Sequence, residues 1–93
     1  MKDFYQLICT YERSTNIVGI YETYEEAYDA MLEDFASVVD YSVDALNEYL
    51  EEAGGDADIS DWSAWTNHRN DNCDWNIFCL RYNHGNLKNI MPL

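Results

Sequence analysis

Apolar and polar residues near the N-terminus alternate in a way that predicts two β-strands. Residues 4–11 (FYQLICTY) and 17–21 (IVGIY) are rich in aromatic and β-branched side chains, and ERSTN lies between them. Such side chains favour extended structure, and the polar interval predicts a β-hairpin with a five-residue loop. Because side chains alternate across a strand, we expect Tyr5 and Leu7 on one face of the sheet and Gln6 on the other.

A helix is predicted directly after the hairpin. Thr23 and Glu26 have the spacing of a capping box, in which the hydroxyl and the carboxylate each accept a hydrogen bond from a free backbone N–H. Apolar residues then recur at intervals of three and four, which is the spacing of one helix face, and the pattern ends near Val39. These apolar residues are Tyr24, Ala27, Tyr28, Met31, Leu32 and Phe35.

A second helix is predicted from about 43 to 53. Asp40 and Ser42 are its candidate N-caps, and the pair Gly54-Gly55 is a signal for a helix C-terminus. Its apolar stripe comprises Val43, Leu46, Tyr49, Leu50 and Ala53.

The last third of the chain contains one clear strand pattern. Residues 75–82 (WNIFCLRY) alternate, whereas 56–65 predict a loop with at most one helical turn and 66–74 predict a polar loop. The tail that follows has no clear period. The order β-β-α-α-β predicts a single α+β domain over 1–93, with a small antiparallel sheet and two helices packed on one of its faces.

Charge is distributed very unevenly along this chain. The net charge is −13, and residues 21–62 contain fourteen acidic side chains but no lysine or arginine. A small domain needs a net charge of only about 2–8 for solubility. The hydrophobic fraction of 47% is that of a folded protein and not of an acidic tail. Because such a field repels phosphates and attracts basic surfaces, we expect no direct binding of nucleic acid or of membranes.

The two predicted helices carry acidic residues at intervals of four. Four residues rise about 6 Å along a helix axis, which is the length scale of phosphate spacing in a nucleic-acid backbone. Each like-charged pair at this spacing costs about 0.2–0.5 kcal/mol, and ordinary solvated helix faces mix their signs. We therefore predict a face that binds a basic groove, the alternative being a solvated surface. The face comprises Glu22, Glu25, Glu26, Asp29, Glu33, Asp40, Asp44, Glu48, Glu51 and Glu52.

In size, in charge and in its helical carboxylate rows, the chain resembles the small acidic phage-type inhibitors that imitate nucleic acid, among them anti-CRISPR families. The resemblance concerns the whole chain and includes no sequence motif, so it identifies no residue as a contact. It implies a non-enzymatic inhibitor that occupies the basic nucleic-acid channel of a nuclease complex in a bacterial host.

His68 and Cys73 are the candidate metal ligands. They lie five residues apart in the predicted polar loop, with Asp71 and Asp74 close by. Histidine, cysteine and aspartate side chains bind zinc, but a structural site needs four ligands. The alternative is a loop thiol and a surface imidazole, and no cofactor is required by the proposed binding role.

Other function classes stay open. A small accessory or structural module of a bacterial mobile element, stabilised by zinc, would use its acidity only for solubility. Trp62 and Trp65 would then serve as apolar anchors. An enzyme is not expected, because no Ser-His-Asp or Cys-His-Asn arrangement is evident. The three cysteines, the short apolar stretch at the N-terminus and the lack of an apolar run of ~20 residues predict a cytoplasmic protein with reduced thiols.

Overall fold

The computed structural model describes residues 2–67, 71–83 and 86–91, with side chains for 2–67 and 71–81. It confirms the α+β class: an antiparallel sheet with two helices on one face. The elements are β1 Lys2–Tyr11, β2 Ser14–Tyr21, α1 Tyr24–Val39, a 3₁₀-helical turn Val43–Ala45, α2 Leu46–Ala53, β3 Ala57–Ile59, β4 Ser63–Thr66, β5 Cys73–Asn83 and β6 Asn86–Met91.

The sheet has the strand order β2-β1-β5-β4-β3, and every pair is antiparallel. β5 is its central strand, since it pairs with β1 along nearly its whole length. Its other edge is shared: β4 pairs with residues 73–76 and β6 pairs with residues 79–83. β3, β4 and β6 were not predicted from the sequence, and β5 begins at Cys73, inside the predicted polar loop. β4 and β6 pair with the free backbone groups along β5, and β3 pairs in turn with β4.

The N-terminal hairpin was correctly predicted, but its loop is shorter than expected. Pairing continues through Thr10↔Thr15 to Tyr11↔Ser14, which leaves a two-residue turn of Glu12 and Arg13. Glu12 adopts a positive φ of 55°, the backbone conformation that tight hairpin turns require. The polar residues Ser14, Thr15 and Asn16 therefore extend β2 beyond its apolar pattern, because cross-strand pairing satisfies their backbone groups.

The core lies between the helices and one face of the sheet. Leu7, Trp75 and Ile77 are fully buried on that face, and α1 covers them with Met31 and Phe35, also fully buried. The predicted alternation in β1 and the apolar stripe of α1 are thus confirmed. Both follow from local periodicity, because only one face of each element is covered.

The start of α1 is capped as predicted. The Glu26 backbone N–H donates to Thr23 Oγ1 at 3.2 Å, and the Thr23 hydroxyl donates to the Glu26 carboxylate at 3.0 Å. The Glu26 carboxylate thus accepts its hydrogen bond from the Thr23 hydroxyl. In a full capping box it would accept from the Thr23 backbone N–H. The predicted end of α1 near Val39 is also confirmed, since Val39 is its last residue.

The second helix was predicted from about 43 to 53, and the chain is helical over that range: a 3₁₀ turn over Val43–Ala45 leads directly into α2. Ser42 occupies the predicted N-cap position, although its side chain makes no capping hydrogen bond. The other candidate cap was wrong, since Asp40 is the C-cap of α1, in the left-handed conformation with φ 62°. The α-helix itself begins at Leu46. A connection this short leaves room only for a tight 3₁₀ turn before α2. The predicted stop is correct, since Gly54 is the C-cap with φ 62°.

Candidate protein-interaction surface

The ten predicted acidic residues form an exposed surface on the helical side of the molecule, and we call this set the acidic face. Every one of its side chains is exposed: Glu22, Glu25, Glu26, Asp29, Glu33, Asp40, Asp44, Glu48, Glu51 and Glu52. Glu25, Asp29 and Glu33 form the predicted row along α1, since residues four apart lie on one side of a helix. The buried positions of α1 keep this row turned to solvent.

The second predicted row is not a single helical row. Asp40 ends α1, Asp44 lies in the 3₁₀ turn, and only Glu48 and Glu52 remain four apart within α2. The acidic face is therefore one row on α1 followed by a bent array around the connection. The correction follows directly from the late start of α2 at Leu46.

Basic side chains do little to neutralise this face. Among the described side chains, Glu22 is the only one of the ten in an ion pair, 3.6 Å from Lys2 Nζ, and both partners are largely exposed. Arg81 is paired with Asp3 in the sheet at 2.9 Å, and its guanidinium lowers the pKa of that carboxyl. Exposed pairs such as Lys2–Glu22 contribute about 0–1 kcal/mol.

Several carboxylates stand where they oppose helix stability. Asp40 lies at the C-terminus of α1, and Glu51 and Glu52 lie in the last turn of α2. The helix macrodipole places partial negative charge there, and neither last turn contains a basic residue. Glu52 accepts a hydrogen bond from the Tyr41 hydroxyl at 2.7 Å, which raises the pKa of Tyr41.

Not every acidic residue between 21 and 62 belongs to the acidic face. Asp34, on the opposite side of α1 from the carboxylate row, is half-buried and accepts a hydrogen bond from the Trp75 indole N–H at 2.7 Å. This bond satisfies the buried indole and fixes α1 against β5. Asp34 is thus a structural carboxylate.

An apolar groove lies between the two helices and was not foreseen from the sequence. It has a volume of about 270 Å³ and is lined by Tyr28, Leu32, Val43, Leu46, Asn47, Leu50 and Ile59. Val43 and Leu50 were expected to be buried, yet Val43 is 40% exposed and Leu50 is half-buried. Part of the apolar stripe of each helix therefore faces this opening and does not lie in the core.

The predicted zinc ligands receive no support from the described residues. Cys73 is not a loop thiol but a buried residue of β5, and burial, together with nearby Asp71 and Asp74, raises the pKa of its thiol. His68 lies outside the described residues. Within 2–67 and 71–81 no three His, Cys, Asp or Glu side chains are grouped to hold a metal ion. Zinc binding by His68 and Cys73 stays a prediction.

The tryptophans divide between the two faces of the sheet. Trp62 packs against Tyr5 and Tyr24 on the helical side, with ring centroids 6.3 and 4.9 Å away. Trp65 pairs with Asp74, which alternates with the buried Cys73 and Trp75, so Trp65 lies on the opposite, open face. The two side chains therefore do not form one anchor.

Comparison of the chain with protein-family models, with curated proteins and with solved structures finds no match. In the described part of the chain, neither helix is long and apolar enough to cross a membrane. The charges, contacts and exposure of the chain's own residues are therefore what support a function.

Proposed function

We propose that this protein is a non-enzymatic binding protein whose acidic face docks in a basic groove built for nucleic acid. It acts there as an inhibitor of a nuclease complex, in the manner of the anti-CRISPR proteins it resembles. The partner is a nucleic-acid-binding protein, and the inhibitor itself contacts neither nucleic acid nor membrane. Binding requires no metal.

One observation carries this proposal: the carboxylates of the acidic face are exposed, and among the side chains that the structure describes only Glu22 has a basic partner. Neighbouring like charges repel, and those at helix C-termini also oppose the macrodipole, so these residues lower the stability of the free protein. In a groove rich in lysine and arginine, the same carboxylates would be attracted to basic side chains, and their charges would then favour the complex. The arrangement is unfavourable alone and favourable in a complex with a basic surface.

We place the protein in the cytoplasm of a bacterial cell, where nuclease complexes act. Cys9, Cys73 and Cys79 are free thiols, which fits a reducing compartment.

The proposal is tested by charge reversal with a control of equal charge. Glu25→Lys, Asp29→Lys and Glu33→Lys together change the α1 row, and Glu12→Lys, Asp58→Lys and Asp71→Lys make the same charge change at exposed positions outside the acidic face. DNA binding by a panel of purified bacterial RNA-guided nuclease complexes is measured against increasing inhibitor. We expect inhibition of at least one complex, with the α1 variant weaker by at least ~100-fold and the control within ~3-fold of the unchanged protein.

Salt supplies an independent readout on the same complex. The association rate should fall steeply between ~0.05 and ~0.5 M salt while the dissociation rate changes less, because exposed charges act over a Debye length of about 8 Å at 0.15 M. Absence of inhibition across the panel, or equal loss in both charge-reversed variants, would contradict the proposal.

The accessory-module alternative is favoured by one feature, the open face of the sheet. Ile17 and Ile20 are 61% and 55% exposed there, and Trp65 lies on the same face. A module that docks through this face would bind its partner with little dependence on salt and would lose affinity on Trp65→Ala. These two results together would show that the partner binds the open face of the sheet and not the acidic face.

A further inference from the structure

The groove between α1 and α2 is an apolar site set within the acidic face. Leu46 forms its floor and is 4% exposed, whereas Val43 at its edge is 40% exposed and Tyr28, Leu32 and Leu50 are half-buried. Its volume of about 270 Å³ is just below the range of about 300–1,000 Å³ that is usual for small-molecule sites. The groove is therefore sized for one or two side chains of a protein partner.

The rim of the groove carries charge of one sign. Residues three or four apart are neighbours on a helix surface, so Glu25 borders Tyr28 and Asp29 borders Leu32 on α1. By the same spacing, Asp44 and Glu51 border Asn47 on the other side of the groove. Residues 14–67 contain no lysine or arginine. An occupant thus meets apolar walls inside and carboxylates around them.

We propose that this groove binds a basic amphipathic helical segment of the partner, with leucine-sized side chains in the groove and lysine or arginine side chains on the rim. This inference rests on the proposed function for the basic character of the partner and adds the apolar anchor. Helix-in-groove recognition uses apolar anchors three to four residues apart, and a cleft between two helices matches that spacing. The same acidic rim disfavours the other occupants, since phosphates are repelled and a second copy brings a net charge of −13.

The two contributions have different kinetic signatures. Charge on the rim acts at long range and mainly sets the association rate, whereas apolar contacts in the groove mainly set the dissociation rate. A partner held only by charge would dissociate at high salt. A partner with side chains in the groove would stay bound longer.

The test uses two synthetic peptides of about 18 residues, long enough to form a helix on binding. One repeats leucine on one face and lysine on the other; its counterpart has serine in place of every leucine and the same charge. Fluorescence anisotropy with the full chain measures both. At 0.15 M salt we expect the leucine peptide to bind at least ~10-fold more tightly than the serine peptide, and to keep measurable affinity at ~0.5 M salt.

Groove variants locate the binding site. Leu32→Asn with Leu50→Asn should lower the affinity for the leucine peptide to that of the serine peptide, because the apolar walls are lost. Ile17→Asn with Ile20→Asn is the matched control on the open sheet face, and it should leave both affinities unchanged. Should the groove variant not fold, Asn47→Arg places a positive charge at the exposed edge of the groove and should weaken both peptides.

Two outcomes overturn the inference, and a third overturns only the proposed function. Equal binding of the two peptides would show that the face recognises charge alone, which removes the groove site and leaves the proposed function intact. Loss of leucine-peptide binding in the Ile17→Asn, Ile20→Asn control would place the site on the sheet. Groove-dependent peptide binding without inhibition of any nuclease complex would keep this inference and contradict the proposed function, so the two failures are distinguishable.

Discussion

The three cysteine thiols all point toward the helical side of the sheet. Cys73 and Cys79 are buried and Cys9 is half-buried, and burial is the largest cause of the raised pKa of each thiol. For Cys9 the pKa rises to about 11, with the Asp34 carboxylate adding to the effect. Because the thiolate is both the nucleophile and the metal ligand, these thiols are poorly suited to either role in the folded chain.

We expect the thiols to react slowly with a thiol reagent while the protein is folded. At pH 8 the Cys9 thiol, with a pKa of about 11, is ionised in about one molecule in a thousand, so its labelling should be at least ~100-fold slower in native protein than in denaturant. Burial and a raised pKa should slow Cys73 and Cys79 as well. The reagent releases a chromophore for each thiol that reacts, and its absorbance gives the rate in native and in denatured protein. In denaturant all three thiols should react.

A fast-reacting thiol in the native protein would contradict this expectation. The zinc prediction is tested separately by elemental analysis of protein purified without chelator, which should contain close to one zinc per chain if His68 and Cys73 bind the metal. Protein that contains no metal would argue against zinc at these residues.

At the scale of elements, the two ends of α1 are unequal. Its first turn carries Glu25 and Glu26 beside the Thr23 cap, where negative charge is favourable. Its last turn has no basic residue, and Asp40 adds negative charge at the C-cap in the left-handed conformation. The helix therefore begins with favourable electrostatics and ends with unfavourable electrostatics.

We predict that Asp40→Asn raises the free energy of unfolding by about 0.3–1 kcal/mol, since asparagine also adopts the left-handed conformation and removes the unfavourable charge. Glu25→Gln is the matched control, because it removes one negative charge at the favourable end and should lower stability by a similar amount. Urea denaturation measures both. Stabilisation by both variants would show that net charge dominates and that the helix dipole does not.

At the scale of the whole molecule, charge and exposed apolar surface are separated. The acidic face lies on the helices, whereas the opposite side of the sheet exposes Ile17 and Ile20. The net charge of −13 is concentrated on one side, and repulsion among these carboxylates opposes the folded state. This cost falls when ions screen the charges.

We predict that the melting temperature rises with sodium chloride between ~0.02 and ~0.5 M, because the Debye length falls from roughly 20 Å to roughly 4 Å. A rise of about 4–8 °C would correspond to about 1 kcal/mol for a chain of this size. The variant Glu25→Lys, Asp29→Lys, Glu33→Lys should rise less, since it carries less repulsion. A melting temperature that falls with salt, or an equal rise in the variant, would contradict this account.

Local signals in the sequence determined the central strands, the first helix and the one-sided charge. Alternation placed Tyr5 and Leu7 on the same face of β1, the Thr23–Glu26 spacing marked the start of α1, and Gly54 marked the end of α2. The exposure of the carboxylate row on α1 followed from the same periodicity. Each of these signals acts within a few residues, so no knowledge of distant contacts was needed to interpret it.

Only the tertiary structure decided the features that depend on distant partners. β4 pairs with the free backbone groups at the edge of β5, β3 pairs in turn with β4, and neither segment has a clear strand pattern of its own. The same pairing draws Cys73 from a predicted polar loop into the core. The groove likewise depends on distant contacts, because Tyr28 and Leu32 come from α1 whereas Leu46 and Leu50 come from α2. Periodicity fixes which side of an element is buried, but the available partner decides where the element starts and what it leaves open.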